Sequence, residues 1–481
     1  MRKKLFPVAC AAVLAMSAHQ RADANVYAAE LAAVNTGGNA YDISFRLNED
    51  ATAGVTVRIK NSSDVVVRTI AAGNLLKGAN TVAWDGTDDS SSPVPSDTYT
   101  FEVEAAATGH TGWTKISDET TNEAINFFSA KGIAINTDQT SPLFGRVYIA
   151  ENAGDIAETT VRDTTVDGIF VLSNDLTDIT AQGTAGYDGG VAWDTSTSSP
   201  AGLELHEGKL YISDWSDAHA GIWVMDESDL SAPATELFAD APDANGVRNN
   251  GTDDYAGSIY DFSIVGSGAS TALFTMDEDI TVGTATPGSL LRYDIGTAVS
   301  GYNTVPTPVV DESAITPGFV GGAYNPVPDG SGGWWLNQYR YTQSAANPCV
   351  VHVDSLGNVD FTSDTLTGST AAERMDRHYG AGLAFSPDGT RMYVGGYGFV
   401  TEFDISSGPA SPTYVGTIAT TGNSNRDIEV DAAGNVYVMN NSVEYMYVFS
   451  PGGANSFVTE APTGVSMSVT ASVSDWNLNG Y

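Results

Sequence analysis

Residues 382–394 read GLAFSPDGTRMYV and run on to VTEFD at 400–404, while residues 427–438 read DIEVDAAGNVYV and run on to YMYVFS at 445–450. Laid over one another, the two stretches share one grammar. An apolar run is followed by a turn ending in Gly, a second run with Tyr-Val, a loop, and a third run that closes on Phe-Asp or Phe-Ser. Short alternating runs separated by turn residues are strands, and three of them joined by short loops make an antiparallel meander. The same order recurs earlier in the chain, in looser form. Residues 202–214 lead to 221–226, and 132–136 lead through 146–150 to 168–172. Likewise 260–265 precede 272–276 and 290–294, and 321–325 precede 333–337 and 350–354.

Six units therefore begin near residues 132, 202, 260, 321, 382 and 427. Spacings of roughly 45 to 70 residues suit four-stranded blades with insertions, whereas a solenoid repeats more tightly. The expected fold class is all-β, with a β-propeller over residues 111–478 that has six blades. A seventh blade stays open if residues 113–128 or 465–476 supply another sheet. The alternative is that these ends pair to close the ring, since an unclosed ring leaves two sheet edges bare. The GNVYV and SPDGTRMYV signatures are similar to those of NHL-type and gluconolactonase-like six-bladed propellers. A WD40 Gly-His…Trp-Asp signature is absent.

Ahead of the repeats, residues 36–106 alternate at period two and read as a small antiparallel β-sandwich. The order VTVRIKNSSDVVVRTI (55–70), KGANTVAWDGTDDSS (77–91) and PVPSDTYTFEVEA (93–105) resembles the Ig-like domain of flagellar hook-capping proteins. Trp84-Asp85-Gly86-Thr87-Asp88 and the approach from Pro95 to Tyr99 carry the match, and Ser96-Asp97 depart from it where the family has Gly. The resemblance implies a fold and a spacer or docking module; it does not imply hook assembly.

Composition narrows the function. The 481 residues hold 59 Asp and Glu against 21 Lys and Arg, a formal charge of −38. That charge repels a phosphate backbone or an anionic bilayer surface and argues against nucleic acid as a partner. Residues 1–24 read as a secretory signal, with Arg2, Lys3 and Lys4 before an apolar stretch and Ala22-Asp23-Ala24 as the cleavage site. The expected mature chain is secreted, extracellular or periplasmic, has no membrane span, and is more acidic still, because the leader takes four cations and one anion with it. Cys349 is then the single thiol, expected as a buried strand residue, so no internal disulfide staples the fold.

Residues that follow the second strand of each blade should gather around one mouth of the channel. They include Glu151, Asp214, Asp277, Asn337 and Asn440, with Arg426 on the approach to a first strand. Oxygen ligands of this kind suit Ca2+, and the gluconolactonase-like resemblance implies such an ion, with Asp214 and Asp277 as its candidate ligands. The same residue types also cap the turns of most β-proteins. Among catalytic candidates, His378 beside Asp376 is the one histidine placed near the channel entrance. No zinc or haem pattern and no Gly-x-Ser-x-Gly elbow occurs. Two functions stay open: a non-catalytic exported protein that binds a partner protein, glycan or surface polymer, and a Ca2+-dependent hydrolase or lyase with an acidic mouth.

Overall fold

The structure, a computed structural model, describes residues 26–152, 167–182, 185–193, 199–216, 221–239, 256–277, 280–315, 318–319, 323–338, 347–375, 382–422 and 424–470. Among these residues the repeats form six blades. From the axis outward, blade 1 is Gly132–Ile135, Val147–Glu151 and Gly168–Leu172, and blade 2 is Leu203–His206, Lys209–Asp214, Gly221–Asp226 and Thr235–Glu236. Blade 3 is Phe262–Val265, Ala272–Met276, Leu290–Tyr293 and Thr307–Val310. Blade 4 is Ala323–Pro328, Trp334–Gln338, Val350–Val353 and Val359–Thr362, and blade 5 is Leu383–Phe385, Arg391–Gly395, Phe399–Asp404 and Thr413–Ala419. Blade 6 takes Asn425–Val430, Val436–Asn440 and Tyr445–Ser450 from the end of the repeats and Thr114–Lys115 from before them.

That borrowed strand closes the ring, with Lys115 opposite Phe449 and Thr114 opposite Ser450. Trp113 fastens the same segment to blade 5 through its indole N–H, which donates to Glu402 at 3.0 Å. Near the axis the seam is closed a second time, where Ile133 of blade 1 donates its N–H to Asp427 of blade 6 at 2.7 Å. A hydrophobic core fills each blade interface. Between blades 1 and 2 it holds Tyr148, Leu203 and Ile212; across the seam it holds Ile133, Val147, Tyr437 and Val448. Inner strands pack backbone to backbone, which explains the glycines that open the repeats. A Cβ on Gly132 would stand 2.2 Å from the Ala201 carbonyl oxygen, and one on Gly202 would stand 2.8 Å from the Tyr260 carbonyl oxygen.

The N-terminal module is a sandwich of Ala28–Gly37, Ala40–Leu47 and Gly78–Trp84 against Ala51–Lys60, Val66–Leu75 and Asp97–His110. Trp84 and Phe101 lie in its core at 1 % exposure, and Tyr99 reaches out of it to donate its hydroxyl to the Pro95 carbonyl at 2.8 Å. Gly86 has φ +77°, and a Cβ there would meet the Asn39 carbonyl oxygen at 2.7 Å, so the turn of the Trp-Asp-Gly motif requires glycine.

One boundary differs from the expected propeller range of 111–478. Gly453–Glu460 and Met467–Val469 neither add a blade nor close the ring; both pair with Asp97–His110 and complete the sandwich. The reason is an open edge. Asp97–His110 is 14 residues long, its other edge is taken by Ala51–Lys60, and an uncovered strand of that length is a site for foreign pairing. The tail also supplies core, with Met467 at 0 % and Val469 at 3 % exposure. The sandwich likewise starts at Ala28, ahead of the expected residue 36.

Two linkers run side by side where the chain enters and leaves the propeller. His110 bridges Gly452 in parallel, and a Cβ on Gly109 would overlap the Gly453 carbonyl. Around them lies a small mixed core in which Tyr27 and Phe457 meet Phe144 and Ala433 of the blade 1 and blade 6 loops. Arg46 adds an ion pair to Asp175 at 2.7 Å, and Glu49 accepts from Ser450 at 2.6 Å.

Candidate functional site

The five mouth residues sit at equivalent points, at or just after the end of a second strand, as their place in the repeat implies. Each is buried, from 0 % exposure at Glu151, Asp214 and Asn440 to 2 % at Asn337. Each turns at least one oxygen to nearby backbone. Glu151 accepts from the Ser129 N–H at 2.9 Å, Asp277 from Gly257 at 2.5 Å and Asn337 from Asn325 at 3.2 Å, each time tying a second strand to the first strand or to the segment that enters it. Asp214 accepts from the Ser216 N–H at 2.8 Å, and Asn440 donates to Asn425 at 2.6 Å. The Asp214 bond is that of a turn-capping residue, and the others brace a second strand against another segment. Arg426 lies on the inner strand of blade 6, one position before Asp427. His378 and Asp376 lie outside the described residues.

The structure gathers a different acidic set inside the channel. Glu204 on blade 2, Asp261 beside the inner strand of blade 3, and Glu429 on blade 6 line one cavity of about 630 Å3. Asp427, two residues before Glu429, is held by its own neighbours, accepting from Ile133 at 2.7 Å and from Ile428 at 2.8 Å. Burial drives all four carboxyls upward, because a charge there loses its hydration. Glu204 is pushed up to about 8 by burial and then by the charge of Asp427. Asp427 reaches about 7 although its two backbone donors pull the other way. Asp261 rises well above the ordinary carboxylate range through burial, then Asp427 and Glu204; Glu429 does so through burial, then Asp427, Glu204 and Asp261. At neutral pH the cluster therefore holds shared protons.

The rest of that cavity is apolar or neutral. Val327, Trp335, Phe385 and Ile405 form one wall, and the hairpin turns at 329–331 and 386–389 form its rim. Behind the rim, the buried His352 stands between two carboxylates, with Nδ1 2.6 Å from Asp360 and Nε2 3.2 Å from Asp329. A second cavity of about 680 Å3 lies between blades 5 and 6 and the outgoing linker, where Trp113, Tyr393, Arg391 and Glu402 meet.

Sequence reasoning missed Glu204, Asp261 and Glu429 as site residues. The signal was present: Asp427 and Glu429 stand at i and i+2 of one inner strand, a spacing that puts both on one face. An inner strand whose repeated face is acidic points its acids at the axis. Among the described residues, no three of His, Cys, Asp and Glu come close enough together to hold a metal ion. None of the described helices is long and apolar enough to cross a membrane.

Comparison with known proteins matches the two parts of the chain separately. Residues 30–109 match the family model of the FlgD Ig-like domain. FlgD from P. aeruginosa is 27 % identical over 18 % of this chain and 64 % of its own, with a TM-score of 0.15. A putative 6-phosphogluconolactonase from Bacteroides fragilis is 13 % identical, covers 87 % of this chain and 96 % of its own, and has a TM-score of 0.36. The WD40 β-propeller domain of Doa1 is 11 % identical over 68 % of this chain and 94 % of its own, with a TM-score of 0.39. No curated protein sequence matches the chain. The chain thus carries an Ig-like module of the FlgD type joined to a β-propeller.

Proposed function

We propose that this is an exported, non-catalytic binding protein in which the Ig-like sandwich holds the propeller as a rigid head toward a partner protein, a glycan or a surface polymer. The observation that carries the reading is the double joint. The chain leaves the sandwich at His110, returns to it at Gly453, and completes it with two strands, so both linkers and a mixed core fix one part on the other. A hinged pair of domains needs one linker and a thin polar contact; a fixed pair suits presentation. The sandwich occupies the propeller face made by the loops of blades 1 and 6 around Phe144 and Ala433, and the opposite face carries the strand ends at Glu151, Asp214, Asp277, Asn337 and Asn440. The bonds those five make to backbone and neighbouring side chains support a structural role for them.

Two measurements test the proposal. The whole chain is titrated by calorimetry against cell-surface polysaccharides and screened in parallel against lactone and ester substrates. Saturable binding without turnover is the expected result, and turnover of any lactone or ester overturns it. Export is read by sequencing the N-terminus of the protein recovered outside the cytoplasm, which is expected to begin at Asn25.

A further inference from the structure

We infer that the cavity between blades 5 and 6 binds the ring of a neutral sugar, its hydroxyls against Tyr393, Arg391 and Glu402 and its C–H face against Trp113. This goes beyond the presenting role, because the cavity lies at the joint: Gly452 and Phe457 of the returning tail line it together with the two blades. Its polar wall is written into two strands of blade 5. Arg391 and Tyr393 stand at i and i+2 of the second strand, and the register sets Tyr393 opposite Glu402 and Arg391 opposite Asp404 on the third. All four side chains therefore share one face of the blade. Where that face meets blade 6 the interface stays open by about 680 Å3, a space of the size that takes a small organic ligand.

The repeat places a tyrosine at this point of blades 1, 2, 5 and 6. Tyr148 of blade 1 donates its hydroxyl to Glu227 at 2.9 Å, and Tyr437 of blade 6 donates to Asp431 at 3.4 Å. Tyr393 is buried too, at 4 % exposure, yet its hydroxyl has no hydrogen-bond partner among the described residues, and its residue lines the cavity. Burial, then the neighbouring Glu402 carboxylate, pushes that hydroxyl up and keeps it a donor. Tyr211 of blade 2 also lacks a bond, but it lines neither cavity.

Charge selects the class of ligand. The described lining has Arg391 as its one cation, and Glu402 and Asp404 already bracket it. Asp431, the buried acid of the lining, has both oxygens filled by Asn435 and by backbone N–H groups, and Glu402 also takes the Trp113 indole N–H at 3.0 Å. An anion thus finds no open cation, and an ammonium finds no open buried carboxylate. What stays open is neutral hydrogen bonding, through the Tyr393 hydroxyl and the remaining N–H groups and lone pairs of Arg391 and Glu402. Trp113, half-buried and set at 90° to Tyr393, adds an aromatic surface beside them. A pyranose carries hydroxyls on its rim and C–H bonds on its faces, so it uses both.

The probe is methyl β-glucoside, observed by saturation-transfer NMR with the full chain. Methyl β-galactoside and methyl α-mannoside are parallel arms, and choline chloride and inorganic phosphate are rival ligands. At least one of the sugars is expected to bind saturably. Tyr393→Phe gives up no hydrogen bond within the chain and is expected to weaken that binding about three- to tenfold, the share of one hydrogen bond. Tyr211→Phe is expected to leave it unchanged, with thermal scans showing that both variants are folded. Binding by none of the three sugars, equal affinity in Tyr393→Phe, or an equal loss in Tyr211→Phe overturns the inference. So does choline or phosphate that displaces the sugar. A chain that binds surface polysaccharide but none of the three sugars keeps the presenting role and loses this site, and turnover in the lactone and ester screen bears on the presenting role alone.

Discussion

Glu204 sets the sharpest test of the channel's electrostatics, through Glu204→Gln. The carboxyl titrates near 4.5 when unfolded and near 8 in the folded chain, so folding favours its protonated form. The stability it contributes is complete below about pH 4.5 and is lost progressively as pH rises to about 8. One pH unit of difference is worth about 1.4 kcal/mol, so full burial would put the loss near 5 kcal/mol above pH 8. Glu204 is half-buried and water reaches it, which reduces the expected loss to roughly 1–3 kcal/mol. It makes no hydrogen bond among the described residues, so a glutamine of the same shape gives up no contact. The variant should match the parent at pH 5 and melt a few degrees higher at pH 8.5, read by thermal scanning in matched buffers. A shift of the same size at both pH values would place the effect in packing. A lower melting temperature at pH 8.5 would refute the picture of a repelling cluster.

Three further outcomes follow from the packing. Met467→Ala removes a fully buried side chain from the returning tail and should cost about 2–5 kcal/mol in urea unfolding of the sandwich, whereas a tail that merely rests on the surface would cost nothing measurable. Gly132→Ala pushes a methyl against the Ala201 carbonyl at 2.2 Å and should destabilise the seam between blades 1 and 2, read as a lowered midpoint and faster proteolysis of the propeller; an unchanged midpoint would mean the inner strands pack less tightly than described. Arg46→Met strips the ion partner from Asp175, whose side chain is 5 % exposed, and should separate one calorimetric melting transition into two by weakening the joint by about 2–4 kcal/mol. A single unshifted transition would show that the Tyr27–Phe144–Phe457 core alone holds the parts together.

The repeat was legible because its determinants are local. A glycine where inner strands touch, a Gly turn and a Tyr-Val strand recur within each unit, and all six units found that way are blades. The sandwich was legible for the same reason, since Trp84, Gly86 and Tyr99 fix one turn and one core. The fate of the tail was not, because nothing within 453–469 distinguishes an outer blade strand from a sandwich strand. The choice is made by which edge lies open, and that edge belongs to residues some 350 positions earlier. The mouth residues pose a different difficulty. Asp and Asn at a strand end serve equally as ligands or as caps, and the backbone groups that stand within their reach, those of Ser129, Gly257 and Asn325, are set by other segments of the chain.

Asp427 shows why the channel cannot be rid of its acidity by packing alone. Its carboxylate closes the ring, taking the Ile133 N–H of blade 1 on one oxygen and Ile428 on the other. An amide in its place would satisfy one of these donors and point its own N–H at the other, leaving a buried clash worth about 1–3 kcal/mol. The charge at the seam is thus fixed by backbone geometry, and it raises Glu204, Asp261 and Glu429 in turn. Those three do not close the ring: Glu429 is met by the Val430 N–H of its own strand, and Asp261 accepts from its own neighbour Phe262. Ring closure therefore accounts for one acid in the channel, and burial beside that acid drives the three others toward their protonated forms.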